Sequence, residues 1–237
     1  MFIVQSTGRL QPDETYHHNH GNAVGDQPMK NTIANCRHWV FDLDGTLTIA
    51  VHDFAAIRRE LRIPDGSDIL GHLESLPRTE SLVLHRRLQE IELELSRLTG
   101  AALGATALVE QLHASGAFLG VLTRNTRENA LRTLDLIGLG GYFDADYVLG
   151  RDEALPKPDP DGIHRLAGLW EADPAEMVMV GDYLYDLQAG RSAGALTVHI
   201  DSAGLFRWPE LADIMIESLE EISDGLVPKS TVAEKAE

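Results

Sequence analysis

The sequence predicts an α/β fold, a doubly wound parallel sheet with a small all-helical segment inserted after the first strand. Short apolar runs, "WVF", "AFLGVLT" and "EMVMVG", read as strands covered on both faces, as parallel strands are. Helical periodicity fills the gaps between them, at the roughly dozen-residue spacing that βα alternation requires. From about Ile49 to Gly104 the alternation stops, and that stretch holds no strand-like run.

Each element follows from its local pattern. Residues 1 to 35 have no sustained period and are rich in Asn, Gln, Gly, His and Pro, so they read as a poorly ordered extension. The cluster His17, His18, Asn19 and His20 reads there as part of a solvated tail rather than a metal site. "HWVFDLD" is the first strand. In "HDFAAIRRELR" the helical period puts Phe54, Ile57 and Leu61 on one face. "SLVLHRRLQEIELELSRL" does the same for Leu84, Leu88, Ile91, Leu95 and Leu98. Between them, "IPDGSD" is a turn ending in a helix N-cap candidate. Residues 49–104 therefore form a helical cap.

The alternation then resumes. "ATALVEQLHASG" is a helix closed by Gly116, and "AFLGVLT" a strand ending at Thr123. A helix beginning at Thr126 is closed by Gly138. "YVLG" is a short strand and "DPDGIHRLAGLW" a helix. "EMVMVGD" is a strand ending at Asp182, followed by a helix through Ala193. "LTVHI" and "DIMI" complete the sheet. The core thus comprises residues 36–48 and 105–224, and residues 225–237 read as a tail.

Composition narrows the function. With 237 residues, 43% hydrophobic and 24% charged, the chain suits one α/β domain plus an insertion. A net charge of −17 argues against nucleic acid or an anionic membrane as the main partner. No apolar run reaches the roughly 18 residues of a membrane span, and the N-terminus lacks a signal-peptide pattern. The single cysteine, Cys36, offers no disulfide framework and reads as a structural thiol. These features predict a cytoplasmic protein.

The polar residues fall where an open α/β sheet binds ligands, at the carboxyl ends of its strands. Asp42 and Asp44 end the first strand, Thr123 the second, and Asp182 the "MVMVG" strand, while Lys157 lies in the loop "LPKPDP". Asp186, one helical turn beyond Asp182, faces the same way. Carboxylates gathered so closely repel unless a cation joins them, and a hard divalent ion, most simply Mg²⁺, suits oxygen ligands. Thr123 heads "TRNTREN", a turn whose backbone N–H groups form an anion site. Thr123, Arg124, Asn125 and Lys157 are accordingly the phosphate-binding candidates, although Asn125 could equally cap the following helix. Asp42 is then placed to attack phosphorus, and Asp44 to protonate the leaving alcohol and activate water. In the cap, Arg58, Arg59, Arg62, Arg86 and Arg87 form either a solvated basic face or a site for a second anionic group of the substrate.

"DLDGTLT", the Thr123 strand end, Lys157 and "GDYLYD" resemble, in that order, the four signature motifs of the haloacid dehalogenase superfamily. The insertion after the first motif is similar to the cap of its phosphoglycolate phosphatase and β-phosphoglucomutase branch. The resemblance implies a Rossmann-like core, Asp42 as nucleophile, Asp44 as acid/base, and Thr123 and Lys157 as phosphate ligands. It implies Mg²⁺ held by the Asp42 side chain, the Asp44 backbone carbonyl and Asp182, with Asp186 in support. Dehalogenases of the superfamily lack the second aspartate, so Asp44 favours phosphate chemistry. Phosphonoacetaldehyde hydrolases use a cap lysine, and this chain has none between Lys30 and Lys157. The expected activity is Mg²⁺-dependent hydrolysis of a small phosphomonoester. The alternatives are a phosphomutase using the same residues and a non-catalytic module that binds a phosphorylated ligand.

Overall fold

The computed structural model describes Ile33 and residues 36–226. The histidine cluster at 17–20, the remainder of the predicted extension and the chain beyond Leu226 lie outside the described residues. Ile33 itself is buried in the main core.

Six strands form one parallel sheet: β1 (His38–Phe41), β2 (Phe118–Leu122), β3 (Val148–Leu149), β4 (Met177–Gly181), β5 (Leu196–Ile200) and β6 (Ile214–Ile216). Their order is β3-β2-β1-β4-β5-β6. The sheet is therefore wound outward in both directions from β1 and β4, the arrangement that opens a ligand crevice at the strand ends. In register, Phe41 of β1 pairs with Val121 on one side and Val180 on the other. The ladder extends one residue further, with the Asp42 N–H donating to the Val180 carbonyl at 2.9 Å.

Both faces are covered, which explains the apolar runs. Side chains alternate: Trp39, Phe41, Val121, Val178 and Val180 enter one buried cluster, whereas Val40, Leu122, Met177 and Met179 enter the other. Helices α4 (Ala105–Ala114), α5 (Arg127–Leu136) and α8 (Glu220–Leu226) cover the first face through Leu108, Leu112, Leu134 and Ile222. Helices α6 (Asp161–Trp170) and α7 (Leu184–Ala193) cover the second through Ile163, Leu166, Trp170 and Ala189. Helix α8 crosses the predicted start of the C-terminal tail by two residues. The "YVLG" strand shrinks to its two residues beside β2.

The insertion is helical, with α1 (Phe54–Leu61), α2 (Ile69–Ser75) and α3 (Arg78–Ser96). Helices α1 and α2 are N-capped by the Asp53 and Asp68 carboxylates, which accept from the Ala56 and Gly71 N–H groups. It has its own small core of Ile57, Leu61, Leu70, Leu73, Leu88 and Ile91. Two predicted apolar positions fall outside that core: Phe54 and Leu98 are 52% and 74% exposed. Phe54, the first residue of α1, stacks on the His52 ring and lines the cavity described below instead of entering that core, and Leu98 lies past the end of α3. The two crossings into the insertion lie side by side. Thr48 forms an antiparallel bridge with Ala101, and the Ile49 N–H donates to the Gly100 carbonyl at 2.9 Å.

Candidate active site

The ends of β1, β2 and β4 bring the predicted residues to one cavity of about 340 Å³. Asp42, Asp44, Thr123, Arg124, Asn125, Lys157, Asp182 and Asp186 all line it. At its floor the Lys157 ammonium lies 2.5 Å from Asp42 Oδ1 and 2.6 Å from Asp186 Oδ1. All three side chains are nearly inaccessible to water. Carboxylate oxygens of Asp42, Asp182 and Asp186 lie within 4.8 Å of one another.

Two glycines make this approach feasible. Gly45 has φ +101°, and a Cβ there would sit 2.5 Å from Asp182 Oδ2. A Cβ on Gly181 would sit 2.2 Å from that of Asp186. Asp186 also accepts from the Tyr183 N–H at 3.0 Å, so it caps the start of α7 while facing Lys157.

Three carboxylates around one ammonium leave an excess of negative charge. Burial, with Asp42 and Asp186 adding repulsion, pushes Asp182 up to about 8 against the pull of Lys157. Burial also pushes Asp186 up to about 6, the attraction of Lys157 offsetting only part of it. Asp42 rises above the ordinary carboxylate range for the same leading reason, and Asp44 adds to the rise. Burial alone would lower Lys157, but Asp186 and Asp42 outweigh it and hold the ammonium protonated. The donor set is entirely oxygen and carries surplus charge, so it fits a hard divalent cation.

The phosphate-binding candidates hold one another in place. The buried Thr123 hydroxyl accepts from the Asn125 N–H at 3.1 Å, which leaves its own proton to donate into the cavity. Asn125 does not cap the next helix through its N3 amide; Thr126 does, accepting from the Asn129 N–H. Instead Asn125 Oδ1 accepts from the adjacent Thr126 N–H at 2.8 Å, and its Nδ2 reaches Asp44 Oδ2 at 3.5 Å. The Arg124 guanidinium is paired with Asp68 of the insertion and lies 4.6 Å over the Tyr185 ring.

A second contact between core and insertion was not visible in the motifs. Arg151, which follows β3, donates to both oxygens of Glu92 in α3, at 2.8 and 2.9 Å, and to the Arg124 carbonyl at 3.1 Å. Both side chains are about nine-tenths buried. Burial raises the Glu92 carboxyl above its ordinary value, with the Arg151 bonds working against the rise. One signal did exist in the sequence. Glu92 is four residues after Leu88 and three before Leu95, so a carboxylate interrupts the buried stripe of α3.

The fold and this site define a hydrolase of the haloacid dehalogenase type, and comparison with known proteins agrees. The family model of haloacid dehalogenase-like hydrolases matches residues 58–200, more than half of the chain, and the chain belongs to that family. The match begins beyond Asp42 and Asp44, so their membership of the site rests on the geometry above. The chain is 31% identical to an uncharacterized hydrolase of Saccharomyces cerevisiae, over 77% of this chain and 87% of the relative. It is 29% identical to pyrophosphatase PpaX of Listeria innocua, over 77% of this chain and 93% of the relative. Among solved structures, a hydrolase from Pseudomonas syringae superposes with a TM-score of 0.67 at 24% identity, covering 80% of this chain and 97% of the other. A predicted phosphoglycolate phosphatase from Haemophilus somnus gives 0.64 at 20% identity, covering 80% and 97%. At those identities the structural matches speak for the fold. No helix among the described residues is long and apolar enough to cross a membrane.

Proposed function

We propose that the chain is a Mg²⁺-dependent phosphatase that hydrolyses a small phosphomonoester through an aspartyl-phosphate. The observation that carries this reading is the Lys157 ammonium seated between Asp42 and Asp186, with Asp182 alongside, at the floor of a cavity capped by helices. A pure binding module has no need of buried carboxylates beside the cation that would receive a phosphate. The names of the relatives, which include a pyrophosphatase and a predicted phosphoglycolate phosphatase, support phosphoryl transfer to water from a small phosphorylated compound.

In this reading Asp42, Asp182 and the Asp44 carbonyl would hold Mg²⁺, with Asp186 in support, and the ion would supply neutralisation of phosphoryl charge. Lys157, the Thr123 hydroxyl and the N–H groups of the Arg124–Asn125 turn orient the phosphate. An Asp42 oxygen forms a bond to phosphorus as the bond to the leaving oxygen breaks, and Asp44 gives that oxygen its proton. Asp44, now ionised, takes a proton from water as the water oxygen bonds to phosphorus. The Asp42–phosphorus bond then breaks, releasing phosphate and restoring both carboxyl groups. Asn125, at 3.5 Å from Asp44, steers the acid without consuming its proton.

The test is phosphate release from a panel of phosphorylated metabolites with Mg²⁺ and with chelator, joined to acid quench and mass spectrometry. Phosphate on the peptide carrying Asp42 is the expected result. Turnover without any such adduct, or no turnover of any substrate, refutes the mechanism.

A further inference from the structure

The lysine and arginine side chains on the cavity wall are paired with carboxylates, with one exception. Lys157 faces Asp42 and Asp186, Arg124 faces Asp68, and Glu92 is held by Arg151. Arg58, on α1 in the insertion, is the exception. It lines the cavity and is half-buried. Its Nε donates to the Ser67 carbonyl at 2.8 Å. Among the described residues, its two terminal nitrogens have neither a hydrogen-bond acceptor nor a carboxylate within ion-pair distance. The other arginines of the insertion differ: Arg59, Arg62, Arg78, Arg86, Arg87 and Arg97 do not line the cavity, and Arg87 is already paired with Glu60 and Glu90.

A half-buried guanidinium held by one neutral carbonyl keeps its full charge and an open fork of N–H donors. That fork matches the two oxygens of a carboxylate or phosphate. The bond to Ser67 fixes the side chain in advance, so little rotamer freedom remains to be lost when a ligand arrives. Asp68 and Glu92, the acids of the same wall, are engaged elsewhere and do not compete for it. The cavity thus has one cationic pole at Lys157 and a second on its cap side.

We infer that Arg58 determines specificity by receiving a second oxyanion, a carboxylate or a phosphate, carried on the leaving group of the substrate. This rests on the phosphatase reading and narrows its substrate class.

A matched pair tests it: kcat/KM for 2-phosphoglycolate against 2-hydroxyethyl phosphate, which replaces the carboxylate with an alcohol. Inorganic pyrophosphate serves as the phosphate arm and p-nitrophenyl phosphate as the general phosphatase substrate. The wild-type enzyme is expected to favour an anionic substrate over the alcohol by at least about tenfold, which corresponds to about 1.4 kcal/mol. Arg58→Gln should bring that ratio close to one through a higher KM for the anionic partner, and Arg58→Lys should restore part of it. Whichever of 2-phosphoglycolate and pyrophosphate is favoured identifies the second oxyanion. Equal rates on the matched pair with p-nitrophenyl phosphate still hydrolysed would overturn the role of Arg58 and leave the phosphatase reading standing. An equal loss on both members in Arg58→Gln would do the same, marking a structural role. Failure to hydrolyse any of the four would overturn the phosphatase reading, and this inference with it.

Discussion

Lys157 Nζ lies 2.5 Å from Asp42 Oδ1, although 115 residues separate them in the chain. With Asp186 at 2.6 Å on its other side, the ammonium serves as the counter-ion of a buried acidic site. The proposed chemistry depends on this contact, because a nucleophilic carboxylate needs a cation both to remain ionised and to accept the incoming phosphate.

Asp42→Asn keeps the shape of that side chain and removes its nucleophilicity. We expect kcat to fall by at least about 10³-fold while the far-ultraviolet circular dichroism stays that of the wild type. Near-normal turnover would assign the chemistry to another residue.

The carboxylate cluster makes stability depend on pH in a direction opposite to the usual acid denaturation. Asp182, at about 8, and Asp186, at about 6, bind protons more tightly folded than unfolded, where an aspartate titrates near 3.8. Between those limits the native state holds more protons, so stability must fall as pH rises. In chelator, Tm should therefore decline from pH 6 to pH 9, and Asp182→Asn should flatten the decline. In the proposed function Mg²⁺ binding at this cluster displaces the protons, so Mg²⁺ should raise Tm more at pH 9 than at pH 6. A chelated protein whose Tm shows no extra decline relative to Asp182→Asn would contradict the clustered geometry.

The Glu92–Arg151 pair joins insertion and core in a nearly dry setting. Glu92→Gln strands a buried guanidinium, and we expect a loss on the order of 3 kcal/mol by urea denaturation. Replacing both, as Glu92→Leu with Arg151→Met, should return most of that stability. Activity should not return with it, because Arg151 also holds the Arg124 carbonyl next to Thr123. Full recovery of both properties would show that the pair does nothing for the phosphate loop.

At Thr123 the hydroxyl is predicted to matter more than the methyl. Thr123→Ser should retain kcat/KM within a few-fold. Thr123→Val leaves the Asn125 N–H without its acceptor, which costs about 1–3 kcal/mol of stability, and removes the hydroxyl proposed to donate to phosphate. A roughly hundredfold drop in kcat/KM is expected from Val. Equal activities of the two variants would confine Thr123 to a turn-stabilising role.

Gly45→Ala probes the turn that brings Asp182 close. Its φ of +101° and the 2.5 Å approach to Asp182 Oδ2 leave no room for a methyl group. We expect a loss of about 1–3 kcal/mol from backbone strain, together with a weaker rise of Tm on adding Mg²⁺. An unchanged response to Mg²⁺ would mean that Asp182 is not held by this turn.

Much of this protein was readable without coordinates, for local reasons. Residues such as Trp39 to Phe41 and Val178 to Val180 form continuous apolar runs because both sheet faces are covered, so the strands and their polar ends stand out. Asp42, Thr123 and Asp182 follow directly, since strand ends in such a sheet converge. Helical periodicity likewise exposed the insertion, but it failed at Phe54 and Leu98, where the period continues past the packing that gives it meaning. What depends on pairing across the fold was not legible. Nothing in the spacing of Arg124, Asp68, Glu92 and Arg151 says which acid meets which base, and of the seven arginines in residues 49–104 only Arg58 lines the cavity, where it has no carboxylate partner. Periodicity and strand-end chemistry are properties of neighbours in the chain, so the sequence by itself determined the sheet, the insertion and the acidic centre. Ion pairing is decided by which side chains the closed fold excludes from water together, and only the tertiary structure decided that.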